Sequence, residues 1–412
     1  MSDQTKKIIY IVAFVLITVL LGFLLYFLFL RQAPTVITPN ANEIITVNGL
    51  PTANINTGKP TYINVNGKLI PAENINTAAP AATSEVAKGG FTQVQKINED
   101  TVVSPTMSAD GKALYAYNPY DGKFYRYNTD GSKTALSDKV FKGVENISWS
   151  PDKNKVIMKF ADNSTVYLNF GTQEQISLPK QWEEFDFSSD STKIAFKSMG
   201  VDRENRWIAV ANENGSGVKH ITSVGDNTKN IYINWSPDQQ IVGNYTESID
   251  MERQYLMFIG QNNENFPSTI VEGRGYQGKW SPDGEFLFYS VYSQDSDLKP
   301  TLWTVTGKGS DMASYRVNLE LNTWADKCTF ADKRTVYCAV PQNLPTGAGL
   351  MPEIANSTPD DFYKIDIYTN TKSLVAIPSG LYTATDLQVS DDGNYLYFKD
   401  NISGTINQIK LK

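Results

Sequence analysis

One short turn recurs seven times in this chain, and nothing else in the sequence constrains the fold as tightly. It reads Ser-Ala-Asp-Gly at Ser108–Gly111, Ser-Pro-Asp-Lys at Ser150–Lys153, Ser-Ser-Asp-Ser at Ser188–Ser191 and Ser-Pro-Asp-Gln at Ser236–Gln239. It returns as Ser-Pro-Asp-Gly at Ser281–Gly284, as a degenerate Phe-Ala-Asp-Lys at Phe330–Lys333, and as Ser-Asp-Asp-Gly at Ser390–Gly393. An aromatic or apolar strand precedes it, as in Ile147-Ser148-Trp149 and Gly278-Lys279-Trp280, and an alternating strand follows, as in Lys155–Phe160 and Tyr395–Lys399. Self-similarity at a period of roughly 40–50 residues, with about four short strands per unit, predicts the blades of a β-propeller. Seven repeats predict seven blades, with six or eight as the alternatives.

The residue types follow from the turn. Pro at the second position presets φ, Ser and Asp bond nearby backbone groups, and Gly suits the fourth position. Asp110, Asp152, Asp190, Asp238, Asp283, Asp332 and Asp392 are therefore read as structural. The Trp ahead of the turn offers apolar area to fill the gap between neighbouring blades.

Trp-Ser-Pro-Asp-Gly followed by an alternating strand resembles the WD40-like repeat of the TolB type, which also occurs in propellers of the prolyl oligopeptidase family. The stretch Asn212–Thr222, closed by Trp235–Asp238, is the fullest match. The resemblance runs from about Val102 to the C-terminus. It implies a bacterial propeller with protein partners, but propellers host many activities, so it speaks for fold more than for function.

The N-terminus predicts a compartment. Ile8–Leu30 is an uncharged apolar run long enough to span a bilayer, preceded by Lys6 and Lys7 and followed closely only by Arg31. Residues 1–7 are read as a cytoplasmic tail, 8–30 as a single transmembrane helix, 31–90 as a flexible stalk and 91–412 as the propeller. That arrangement is N-in at a bacterial cytoplasmic membrane, with the propeller outside; a cleaved signal peptide is the alternative. The stalk is rich in Thr, Asn, Ala and Pro and contains a faint duplication. Val47-Asn48-Gly49 and Val65-Asn66-Gly67 each carry the Asn-Gly signal of a small hairpin. Cys328 and Cys338 flank the sixth turn and fall opposite each other in a hairpin, which predicts a disulfide in an oxidising compartment; two buried thiols are the alternative.

The ring poses a closure problem. The last repeat offers three strands, while Phe91–Ile97 alternates as a spare strand before the first turn. Pairing it with Ile406–Leu411 in the last blade would remove two open edges. Repeat six is interrupted by Pro341–Asp361, with four prolines and the apolar Leu344, Leu350 and Met351. This insertion is the candidate partner-binding surface.

Catalytic chemistry finds little support. The chain has one His and two Cys, too few for a zinc site of the usual kind, and carries no nucleophile elbow. His220 reads as a surface residue at a strand end. No catalytic, metal-binding or cofactor-binding residue is predicted. The net charge of −7 argues against a nucleic-acid partner. The expected role is binding or scaffolding in the cell envelope, with an unidentified envelope protein or peptide as partner. The alternative is a glycan- or lactone-directed hydrolase or lyase with a carboxylate or metal site in the propeller channel.

Overall fold

The computed structural model describes residues 83–412 apart from Asn263, the short strands Tyr62–Val65 and Lys68–Pro71, and helical residues Leu16, Leu20 and Leu21. The chain divides into two units, Met1–Thr77 and Ala78–Lys412. Most of the expected span Ile8–Leu30 lies outside the described residues, and among the described residues no helix is long and apolar enough to cross a membrane. In the first unit Tyr62–Val65 pairs antiparallel with Lys68–Pro71, the strand pairing expected of a hairpin at the second Val-Asn-Gly copy. The first copy lies outside the described residues.

The second unit is all-β and forms seven blades. The first comprises Val103–Met107, Ala113–Asn118, Lys123–Asn128 and Lys133–Ala135, paired in chain order, and the next five repeat that meander. Seven apolar clusters each join one blade to the next. Tyr117 and Phe124 of blade one pack on Val156, Met158 and Leu168 of blade two, and Tyr397 and Ile406 of blade seven pack on Val102 and Leu114 of blade one. Two of the tryptophans ahead of the turns sit at these seams. Trp149 and Trp280 lie against neighbouring blades and donate their indole N–H groups to the carbonyls of Ser104 and Asn234.

Each turn is a closed hydrogen-bond unit. The Ser hydroxyl donates to the Asp Oδ1 at 2.5–2.8 Å in six repeats. The same hydroxyl accepts the amide N–H five residues on, which opens the second strand. Phe330 has no hydroxyl, and there Asp332 accepts the amides of Arg334 and Thr335 directly, both at 2.8 Å. All seven Asp residues act in these turns. In the six Ser turns the fourth position is left-handed, which Gly accepts freely but Lys153, Ser191 and Gln239 adopt at φ of 60–64°.

Closure uses the spare segment differently from a single strand. Gly90–Thr92 pairs in parallel with Thr371–Pro378 as a fifth strand of blade six, and Gln95–Lys96 pairs antiparallel with Ile406–Lys410 in blade seven. The segment passes from the rim of one blade to the rim of the next, so one continuous strand cannot form. Residues 83–90, read from the sequence as stalk, also belong to the ring: Ser84 bridges Thr92 and Val86 bridges Lys410.

Candidate functional site

Antiparallel order sorts the connections between strands. Those from first to second strand and from third to fourth emerge on one face, the turn face. Those from second to third strand, and from blade to blade, emerge on the other. The insertion joins Thr335–Pro341 to Asp360–Asp366, the second and third strands of blade six, so it lies on this second face. Cys328 and Cys338 are direct cross-strand partners at the base of the same blade, joined by a disulfide.

The insertion folds into two short 3-10 turns, Ala348–Leu350 and Pro352–Ser357. It is anchored to blade five. The amides of Gly347 and Gly349 donate to the carbonyls of Asp297 and Leu298 at 2.8 Å. Gly349 lies so close to Tyr292 that an added Cβ would stand 2.4 Å from its Cβ. The three apolar residues do not form one exposed cluster. Leu344 packs inward on Trp324, Ala348 and Ala355, whereas Leu350 and Met351 remain 56% and 55% exposed. Leu344 is therefore packing, and only the other two offer a surface.

Beneath the insertion lies a buried ion pair that the sequence reading missed. Lys327, 4% exposed, donates to Asp360 Oδ2 at 2.8 Å, and Asp360 is 1% exposed. The same oxygen accepts the Ala384 amide of blade seven at 2.7 Å, while Oδ1 has no partner. Burial pushes the Asp360 carboxyl up to about 6, against the attraction of Lys327. The pair locks the entry of blade six to that of blade seven. Lys327 also lines a crevice of about 190 Å³ with Asp326, Glu353 and Asn356.

The innermost strands are stitched together by side chains bonded to the next blade's backbone. Ser148 donates to the Phe185 carbonyl, Asp186 accepts the Trp235 amide, Asn234 donates to Gly278 and Lys279 donates to Cys328. Burial raises Asp186 to about 6 and lowers Lys279. A second set of latches lies seven residues after the turn Asp. There Tyr117 donates to Phe141, Lys159 to Lys180 and Trp182, and Lys197 to Thr228, each a carbonyl at the entry of the following blade. Lys399 occupies the same place and pairs with Asp386 at 2.9 Å. The constant offset is a signal that aligning the repeats would have found.

Two roomy clefts open on the insertion face. One, of about 500 Å³, lies between blades four and five with Trp303 as its apolar wall. The other, of about 540 Å³, is the channel itself between blades two and five. It is lined by Asn146, Glu183, Phe185, Tyr232, Asn234 and Gln277, among others. Asn163, in the connection between the second and third strands of blade two, places its mouth on the insertion face. Among the described residues no three His, Cys, Asp or Glu side chains come together as a metal site. His220 is exposed on the outside of blade three, stacked on Trp207 at 5.1 Å.

No family model matches the chain, and no curated protein matches it. Solved structures do. The β-propeller domain of Cps50 (Swd1) from Myceliophteria thermophila aligns at a TM-score of 0.51 and 11% identity, over 77% of this chain and 100% of that one. An oligogalacturonate lyase in complex with manganese aligns at 0.49 and 13%, over 77% and 90%. The β-propeller domain of the trilobed protease from Pyrococcus furiosus aligns at 0.43 and 14%, over 62% and 78%. At such identities the likeness is one of fold, and the fold it shows is the β-propeller.

Proposed function

We propose that this chain is a membrane-anchored binding module of the TolB type, held by Ile8–Leu30 with its propeller on the extracytoplasmic side of a bacterial envelope. It recruits a protein or peptide partner through the face that carries the insertion. The observation that carries this reading is the asymmetry of the two faces. One face holds the repeated Ser/Asp turns, whose side chains are spent on each other and on the turn's own backbone. The other carries the insertion, fixed by backbone bonds to blade five and presenting Leu350 and Met351 outward. An apolar pair on a rigid support loses little freedom on binding. The uncharged N-terminal run and the Cys328–Cys338 bond both suit the extracytoplasmic assignment.

The test is site-specific photocrosslinking of the full-length protein in its native envelope. A crosslinker at Met351 should capture a discrete partner, and Leu350→Ser should weaken capture without loss of folded protein. A crosslinker at the exposed Asp130, on the turn face, should capture none. Equal capture from both positions, or capture indifferent to Leu350→Ser, refutes the assignment of the face.

A further inference from the structure

The channel cleft between blades two and five has a chemistry of its own, and we infer that it binds a neutral, hydroxyl-rich ligand, a short carbohydrate. The inference rests on the reading of the insertion face as the binding face and names one ligand class that it accepts.

The cleft's volume, about 540 Å³, is that of a site for a compact ligand. Its charges are largely engaged. Glu184 accepts from the buried Lys197 at 2.6 Å, and Lys159 is held by the carbonyls of Lys180 and Trp182 while lying close enough to Glu183 to feel its charge. No excess of either sign selects an ion. What remains are the side-chain amides of Asn146 and Gln277, whose groups both donate and accept, and the side-chain oxygen of Asn234, whose nitrogen already donates to Gly278. Gln277 is the informative one. Its side-chain oxygen is shut off from water and has no protein partner, a cost of about 1–3 kcal/mol that is relieved when the side chain turns its oxygen into the cleft toward a bound donor. Phe185 and Tyr232 supply apolar ring surface beside these groups.

A hydroxyl donates and accepts at one atom, as an amide does across two. A sugar presents several hydroxyls around an apolar C–H face, so it matches both halves of this lining. An extended peptide is a poorer match. It would seek free backbone groups on a strand edge, but the inner strands here already take the Ser148 and Asn234 side chains of the blade before.

The test is isothermal titration of the full-length protein, purified in a detergent without a sugar headgroup. The probes are cellotetraose, chitotetraose, tetragalacturonate and tetra-alanine. At least one neutral sugar should bind with Kd below about 1 mM. Gln277→Ala and Asn146→Ala should each weaken it tenfold or more, and Val201→Ser, outside the cleft, should leave it unchanged. Asn146 is exposed, so its variant serves if Gln277→Ala fails to fold. Absence of binding by both neutral sugars, preference for the acidic sugar or the peptide, or full binding by both folded alanine variants overturns the inference. These titrations contain no partner, so failure here leaves capture at Met351 standing, and failure of that capture leaves sugar binding standing.

Discussion

Removing one half of the Lys327–Asp360 pair should cost far more than removing both halves. The two side chains are 5% and 0% exposed and meet at 2.8 Å. Breaking such a pair typically costs about 3–5 kcal/mol, because the survivor is a buried charge without a partner, whereas replacing both groups is often near neutral. Asp360→Asn should therefore lose about 3–5 kcal/mol in urea unfolding followed by tryptophan fluorescence. Lys327→Met/Asp360→Asn should recover most of that loss. The pH dependence separates the two singles. In the native protein burial, opposed by Lys327, leaves the Asp360 carboxyl at about 6, above its unfolded value of 3.8. Its contribution to stability is thus complete below about pH 4 and is lost as pH rises through about 6. Without Lys327 the carboxyl rises further. Lys327→Met should accordingly be less destabilised at pH 5, where the carboxyl can take up a proton, than at pH 8. Asp360→Asn has no carboxyl to titrate, so its penalty against the native protein should run the other way, larger at pH 5 than at pH 8. A Lys327→Met penalty below about 1 kcal/mol, or one identical at the two pH values, refutes the reasoning.

Thiol labelling of the denatured, unreduced protein should find neither Cys328 nor Cys338, and reduction should cost about 2–3 kcal/mol from the short closed loop. Lys153→Gly should stabilise the ring by about 0.5–1 kcal/mol in the same urea assay, since it removes a left-handed non-glycine residue and an enclosed cation; a loss of stability would contradict this. The Arg126 bond, then Ser108, holds the Asp110 carboxyl below its usual range, so its contribution is present above about pH 4 and fades as pH falls further. The stability gap between native protein and Asp110→Asn should therefore close in acid. Deletion of residues 1–82 should leave a cooperatively melting ring, whereas deletion through Ile97 should strip the rims of blades six and seven and cause aggregation, read by light scattering.

The turns were legible because their bonds are local. Ser236 and Asp238 find each other two residues apart, so the motif carries its own geometry in the sequence. The blade count followed from the same repeats. What escaped depends on which strands become neighbours. Lys327 and Asp360 are separated by the whole insertion and meet only when blade six closes. Leu344, Leu350 and Met351 look alike as a composition, yet Trp324, brought in from ahead of the blade, claims the first and leaves the others outside. Phe91–Ile97 alternates like one strand, and only the blade geometry divides it between two. The lysine latches were visible in principle, since Lys159, Lys197 and Lys399 stand at one offset from their turns, but Lys159 and Lys197 donate to carbonyls that no side-chain pattern reveals.

The passage of the chain across the rims of blades six and seven gives the ring a mechanical character. A pull on the chain ahead of Ser84 would first meet two single bridges, Ser84 to Thr92 and Val86 to Lys410. Next come the three paired residues of Gly90–Thr92, and only then Gln95–Lys96, which closes the circle. These contacts are loaded one after another, as in the strain relief of a cable where it enters its housing. Tension on the chain ahead of Ser84 would be spent in peeling the outer attachments, and the closing strand would feel it last.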